Sequence, residues 1–130
     1  MAKRRDVIAI LDDDPVVRHA IGNLLAALQY RTELYESAEA FLTAEKSEAQ
    51  CLVVDVHLGD ISGIELGRQL AATGFKYPMI FMTASDDDAL RRQAMDFGCI
   101  AYLHKPLDAD RLIEAVVRAT DLKPSTRACG

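Results

Sequence analysis

Wholly apolar runs of strand length, each followed by a helical pattern, recur along this chain, and few folds accommodate that alternation. Residues 7–11 (Val-Ile-Ala-Ile-Leu), 51–54 (Cys-Leu-Val-Val) and 79–82 (Met-Ile-Phe-Met) contain no polar side chain. A strand that is apolar on consecutive residues is buried on both faces, as in the middle of a parallel sheet covered by helices. Residues 100–103 (Ile-Ala-Tyr-Leu) form a fourth such run. Residues 31–35 (Arg-Thr-Glu-Leu-Tyr) alternate and are polar, which suits an edge strand.

Helical signals fill the intervals. Pro15 suits a first helical turn, and Val17, Ile21, Leu24, Leu25 and Leu28 then recur on one face. Ser37 is a natural cap for a short helix through Phe41 and Leu42. Gly63 opens a helix with Leu66, Gly67 and Leu70 on one face and Gly74 at its end. Asp86 is the expected cap of a helix carrying Leu90, Ala94 and Phe97 and stopping at Gly98. Asp108 caps a last helix with Leu112, Val116 and Thr120 in line. Five strand–helix alternations predict an α/β fold, a single doubly wound (βα)5 domain with a five-stranded parallel sheet. The 130 residues suffice for one such domain, expected over residues 1–122, with 123–130 as a flexible C-terminal tail.

The totals exclude several classes. A net charge of −5 argues against direct nucleic-acid binding, which needs a basic face. Lys3, Arg4 and Arg5 make only a short basic tail. No apolar run approaches the roughly 20 residues of a membrane span, so no membrane partner is expected. Cys51, Cys99 and Cys129 match neither a disulfide framework nor a metal-ligand spacing, which fits a reducing cytoplasm.

Ligands of open parallel α/β sheets bind beyond the carboxyl ends of the strands. Asp12 and Asp13 follow the first strand, Asp55 the third, Thr83 the fourth and Lys105 the fifth. Each residue alone has a bland reading: a capping aspartate, a turn carboxylate, a core-edge hydroxyl, a solvated lysine. Together at one sheet edge they form a constellation. Three close carboxylates repel unless a cation sits among them, and oxygen-only ligation suits Mg²⁺. A lysine and a hydroxyl beside the metal can surround a phosphoryl group. Asp55 is then the natural nucleophile, since a carboxylate can accept a phosphoryl group as an acyl phosphate.

These residues resemble the receiver domain of two-component response regulators, from about Val7 to Thr120. The matching set is Asp12-Asp13, Asp55 with Ser62-Gly63 downstream, Thr83-Ala84, and Tyr102 ahead of Lys105-Pro106. Residues 35–42 (Tyr-Glu-Ser-Ala-Glu-Ala-Phe-Leu) look especially like FixJ-type regulators. In those, a DNA-binding helix-turn-helix normally follows the receiver; no such output domain is expected in this chain. The resemblance implies a flavodoxin-like strand order 2-1-3-4-5 and a cis Lys105-Pro106 bond. It implies that Asp55 accepts phosphate from a sensor histidine kinase or phosphotransfer protein. Asp13, Asp55 and the backbone carbonyl of His57 would ligate Mg²⁺, with Asp12 acting through water. Thr83 and Lys105 would contact the phosphoryl group, Ala84 would allow close backbone approach, and Tyr102 with Thr83 would form the switch.

The expected output is the surface of the fourth helix, fifth strand and fifth helix. It would be read by a downstream protein or an output domain outside the chain, and is a candidate surface for a phosphorylation-dependent homodimer. Such a chain is a signalling phosphoacceptor rather than an enzyme, with only self-directed phosphotransfer and slow autodephosphorylation. One rival is an aspartyl phosphatase of the haloacid-dehalogenase type, which wants an aspartate where His57 stands. Another is a degenerate receiver acting only as a binding module, against which the intact set of five argues. The chain departs from the family at Gly59, where proline is usual and where glycine should loosen the loop. His57 and Ser85 occupy variable positions that tune the lifetime of the phosphorylated state.

Overall fold

The computed structural model describes residues 6–121. The basic tail, Cys129 and the expected C-terminal tail lie outside the described residues, as does residue 122. Ten elements alternate along the chain: β1 (Val7–Leu11), α1 (Pro15–Ala27), β2 (Arg31–Tyr35), α2 (Ala38–Leu42), β3 (Cys51–Asp55), α3 (Gly63–Ala72), β4 (Met79–Thr83), α4 (Asp88–Phe97), β5 (Ala101–His104) and α5 (Ala109–Thr120). All paired strands are parallel and their order is β2-β1-β3-β4-β5. The polar strand β2 is at the edge, and the apolar β1, β3 and β4 fill the middle.

Side chains alternate across the sheet and build two cores. Ile8, Ile10, Val53, Ile80 and Met82 pack with Ile21 and Leu25 of α1 and Leu112 and Val116 of α5. Ala9, Leu11, Leu52, Val54 and Phe81 pack on the other face with Phe41 of α2, Leu66 of α3 and Ala94 of α4. Since each strand feeds both cores, no residue of β1, β3 or β4 is left to carry a polar side chain before the strand ends. Polar chemistry is therefore pushed to the carboxyl rim. Cys51 sits in the first of these cores as a small apolar residue.

Strands β3 and β4 each run one residue past the apolar run, to Asp55 and Thr83, and two further boundaries differ from the sequence expectation. The cap of α4 is Asp87, whose side chain accepts the Ala89 N–H at 2.8 Å. Asp86 is turned the other way, with Oδ1 2.8 Å from His104 Nε2. The three consecutive aspartates are chemically equivalent for capping, and the tertiary contact to His104 decides among them. Strand β5 covers Ala101–His104, one residue later than expected, because the ladder with β4 aligns Ile80 with Ala101 and Thr83 with His104. No helix among the described residues is long and apolar enough to cross a membrane.

Candidate phosphoacceptor site

The loops after β1, β3, β4 and β5 open on one rim of the sheet, where the buried polar side chains among the described residues collect: Asp12, Asp55 and Thr83. Asp12 is wholly buried and fully engaged. Its Oδ1 accepts the Asp14 N–H at 2.9 Å, and its Oδ2 accepts from Lys105 Nζ at 2.9 Å. Asp55, only 6% exposed, is held in the same manner. Its Oδ1 accepts the His57 N–H at 2.9 Å, and its Oδ2 accepts from Lys105 Nζ at 3.0 Å. Asp13 is exposed, and neither a hydrogen bond nor an ion pair engages its carboxylate among the described residues.

One carboxylate oxygen each from Asp12, Asp13 and Asp55 can be chosen so that all three lie within 4.8 Å of one another. Among the described residues, Lys105 is the only cation bound to two of them, and its side chain is 19% exposed. Burial by itself would lower the Lys105 ammonium. The Asp12 and Asp55 carboxylates outweigh that and hold it above its ordinary 10.5. Three negative charges thus face one fixed positive charge, and the group left uncompensated is the exposed Asp13. All three are hard oxygen donors on one side of the pocket, the donor type that Mg²⁺ takes.

The backbone sets these positions. Gly63, the first residue of α3, lies so close to the end of β3 that a Cβ there would meet the Asp55 carbonyl oxygen and Val54 Cγ1 at 2.7 Å each. Lys105 N–H donates to the Thr83 carbonyl at 2.7 Å, and the Lys105-Pro106 bond that follows is cis. Val56 N–H donates to the Met82 carbonyl at 2.8 Å, which ties the Asp55 loop to β4.

Thr83 is wholly buried, and its Oγ1 accepts the Ser85 N–H at 2.9 Å. Its link to Lys105 runs through the backbone, with no hydrogen bond between their side chains. Ala84 follows on the exposed rim. Tyr102 packs against the α2–α4 core, and its hydroxyl is buried without an acceptor in hydrogen-bond geometry. Burial raises its phenol above the ordinary 10.0; the neighbouring Thr83 hydroxyl opposes, Asp87 reinforces and Arg91 opposes. The structure therefore gathers Asp12, Asp13, Asp55 and Lys105 directly, with Thr83 and Tyr102 on the adjoining side toward α4.

Two further residues join the site. Arg18 Nη1 donates to the Asp12 carbonyl at 2.7 Å. Asp60, in the loop after Asp55, reaches the start of α2. An arginine on an amphipathic helix and an aspartate in a polar loop carry no sequence mark of such contacts.

Residues 8–117 match the family model described as the response regulator receiver domain. The chain belongs to this family. The receiver is 33% identical over 129 residues to the response regulator protein TodT of Pseudomonas putida, an alignment covering 98% of this chain and 57% of that protein. It is 33% identical over 118 residues to the transcriptional regulatory protein FixJ of Bradyrhizobium diazoefficiens, covering 88% of this chain and 58% of that one. The chain thus spans somewhat more than half the length of these curated relatives. Among solved structures, that of FixJ-N superposes with a TM-score of 0.82 at 31% identity, covering 95% of this receiver and 98% of that chain. A response regulator receiver protein from Pseudoalteromonas atlantica also gives 0.82, at 29% identity, covering 88% and 97%. The order of this receiver's five parallel strands is that of the flavodoxin-like fold.

Proposed function

We propose that this receiver is a phospho-accepting switch of a two-component phosphorelay, with Asp55 as the acceptor. The observation that carries the reading is Lys105 bridging the Asp12 and Asp55 carboxylates while Asp13 stands open beside them. The donor is a phosphohistidine on a sensor kinase or phosphotransfer protein. An Asp55 oxygen forms a bond to phosphorus as the phosphorus–nitrogen bond breaks. The electron pair of that bond returns to the donor imidazole, leaving a mixed anhydride on Asp55. Water later attacks the phosphorus and returns the carboxylate and inorganic phosphate.

Asp13, Asp55 and the His57 carbonyl would hold Mg²⁺, with Asp12 acting through water; the bound ion supplies positive charge against the phosphoryl oxygens. Lys105 leaves its present carboxylate partners in part to pair with the new phosphoryl oxygens. Thr83 donates its hydroxyl to the same group, and Ala84 leaves room for it. Tyr102 follows Thr83 and changes the α4-β5-α5 surface. That surface meets a downstream protein, an output domain beyond residue 130, or a second copy of the phosphorylated chain. Residues 1–122 would be the receiver unit. The reading places the chain in the cytoplasm, where its histidine donors are.

Incubation with Mg²⁺ and a small phosphodonor, followed by mass spectrometric location of the acyl phosphate, tests the proposal. Label on Asp55, absent from Asp55→Asn and absent without Mg²⁺, is the expected result. Label on another residue, retained in Asp55→Asn, would sink it.

A further inference from the structure

The loop between β3 and α3 is fastened at its base. Gly63 N–H donates to the Val56 carbonyl at 2.8 Å, and His57 and Ser62 form an antiparallel bridge. Leu58 is buried, which anchors the first half of the loop. The tip is a different matter. Gly59 has φ +99°, a left-handed conformation that proline, fixed near −65°, cannot adopt. A Cβ built on Gly59 would lie 3.9 Å from Asp13 Oδ2, so this turn runs beside the acidic cluster.

Asp60 supplies the fastening that the backbone at Gly59 does not. Its Oδ2 accepts the Glu39 N–H at 3.0 Å, and its Oδ1 the Ala38 N–H at 3.5 Å. A helix leaves its first four N–H groups without intrahelical partners. In α2 they are divided between two segments. Of these, Asp60 takes Ala38 and Glu39 and the Ser37 hydroxyl takes Ala40, while the Phe41 N–H already makes the first intrahelical bond, to the Ser37 carbonyl. α2 itself is fixed to the sheet by Ala38 and Phe41, both buried. It is therefore a firm anchor 21 residues away in sequence. The slight burial of the Asp60 carboxyl would raise it, but the N–H groups of Glu39, Ile61 and Ala38 outweigh this and leave it below its ordinary 3.8.

We infer that Asp60 is a positioning residue for the phosphoacceptor pocket, holding the loop of His57 and Gly59 in place beside Asp13 by tethering it to α2. The inference rests on the reading of Asp12, Asp13 and Asp55 as a Mg²⁺ site. Asp60 touches neither metal nor phosphate. It acts by keeping the loop in its metal-competent arrangement before the ion arrives, which spares the ion the cost of ordering it.

Calorimetric Mg²⁺ titrations of the full chain, its Asp60→Ala and its Asp60→Asn variants test this, with melting temperatures and amide exchange at Ala38 and Glu39 measured alongside. Loss of a group that orients metal ligands typically weakens affinity by about tenfold or more. Asp60→Ala should therefore bind Mg²⁺ about tenfold more weakly, exchange the Ala38 and Glu39 amides faster, and melt close to the wild type. Asp60→Asn keeps an oxygen for Glu39 N–H and should restore most of the affinity. Wild-type affinity in Asp60→Ala overturns the inference alone, as does a loss that merely follows a general fall in melting temperature. A wild-type chain that takes no Mg²⁺ overturns the metal reading as well.

Discussion

Lys105 and Asp12 are 93 residues apart in the chain and 2.9 Å apart in the site, with Asp12 wholly buried. The same ammonium reaches Asp55 at 3.0 Å, so one cation holds two carboxylates at the rim of the central strands. Truncation would leave the Asp12 Oδ2 buried and unpaired. Removing one partner from a buried polar pair costs about 1–3 kcal/mol. Lys105→Ala should therefore lose about 2 kcal/mol in denaturant unfolding, and Mg²⁺ should return part of that loss by replacing the missing positive charge. A variant as stable as the wild type without metal would show that the bridge contributes nothing to the fold.

Asp13 is the member of the cluster with no partner among the described residues. Its removal disturbs no hydrogen bond, yet takes away the open ligand. Without metal, Asp13→Ala should melt at or above the wild type, since one of three repelling carboxylates is gone, and it should show no Mg²⁺ binding by calorimetry or tyrosine fluorescence. Undiminished Mg²⁺ affinity would remove the metal from this part of the rim.

The carboxylates of the site and the central place of β1, β3 and β4 were legible because the same physics produces both, whereas the full strand order followed from the family resemblance. β1, β3 and β4 are buried along their whole length, so a polar residue that ends such a run must stand at the rim. Asp12, Asp55 and Thr83 were marked in that way. The cap of α4 was not, since Asp86, Asp87 and Asp88 differ only in what His104 does to one of them. Glycine at position 59 reads as a source of looseness, and its left-handed φ agrees with the choice of residue. The tether at Asp60 has no counterpart in the sequence pattern. Whether a loop aspartate meets water or a helix start depends on how α2 packs.

Glu33 ties the edge strand to the segment before β3. It accepts the Tyr35 and Ser47 hydroxyls at 2.8 and 2.7 Å and the Glu48 N–H at 2.9 Å. Burial would raise its carboxyl, but the Glu48 N–H, the two hydroxyls and Arg31 together hold it below its ordinary 4.5. A carboxyl lowered in the folded state contributes stability that is present above its unfolded value and lost as pH falls through the folded one. Glu33→Gln should thus melt below the wild type at neutral pH, and the gap should close as the pH falls below the ordinary value of 4.5 and through the lowered folded one. A gap that persists unchanged in acid would assign the loss to packing rather than to charge.

Thr83 ends β4 at the site and begins the loop that leads to α4, and its Oγ1 accepts the Ser85 N–H. Beside it, the buried Tyr102 hydroxyl lies next to the Thr83 hydroxyl, so the two side chains are placed to move together. A phosphoryl group on Asp55 would add acceptor oxygens and negative charge near Lys105, a differential interaction able to shift a pre-existing equilibrium. As Thr83 shifts to donate to it, the Ser85 N–H that its oxygen accepts is drawn along, and the loop through Asp86 and its His104 contact moves with it. Packed elements have discrete arrangements, so a small displacement there is readable at the surface of α4 and β5. The largest beryllofluoride- or phosphorylation-induced NMR shifts away from Asp55 should therefore fall in residues 83–97 and 100–105. Thr83→Ala should accept phosphate at Asp55 yet lose most of that distant response. Shifts that persist in Thr83→Ala, or that fall mainly on residues 37–44, would move the output route to another face of the sheet.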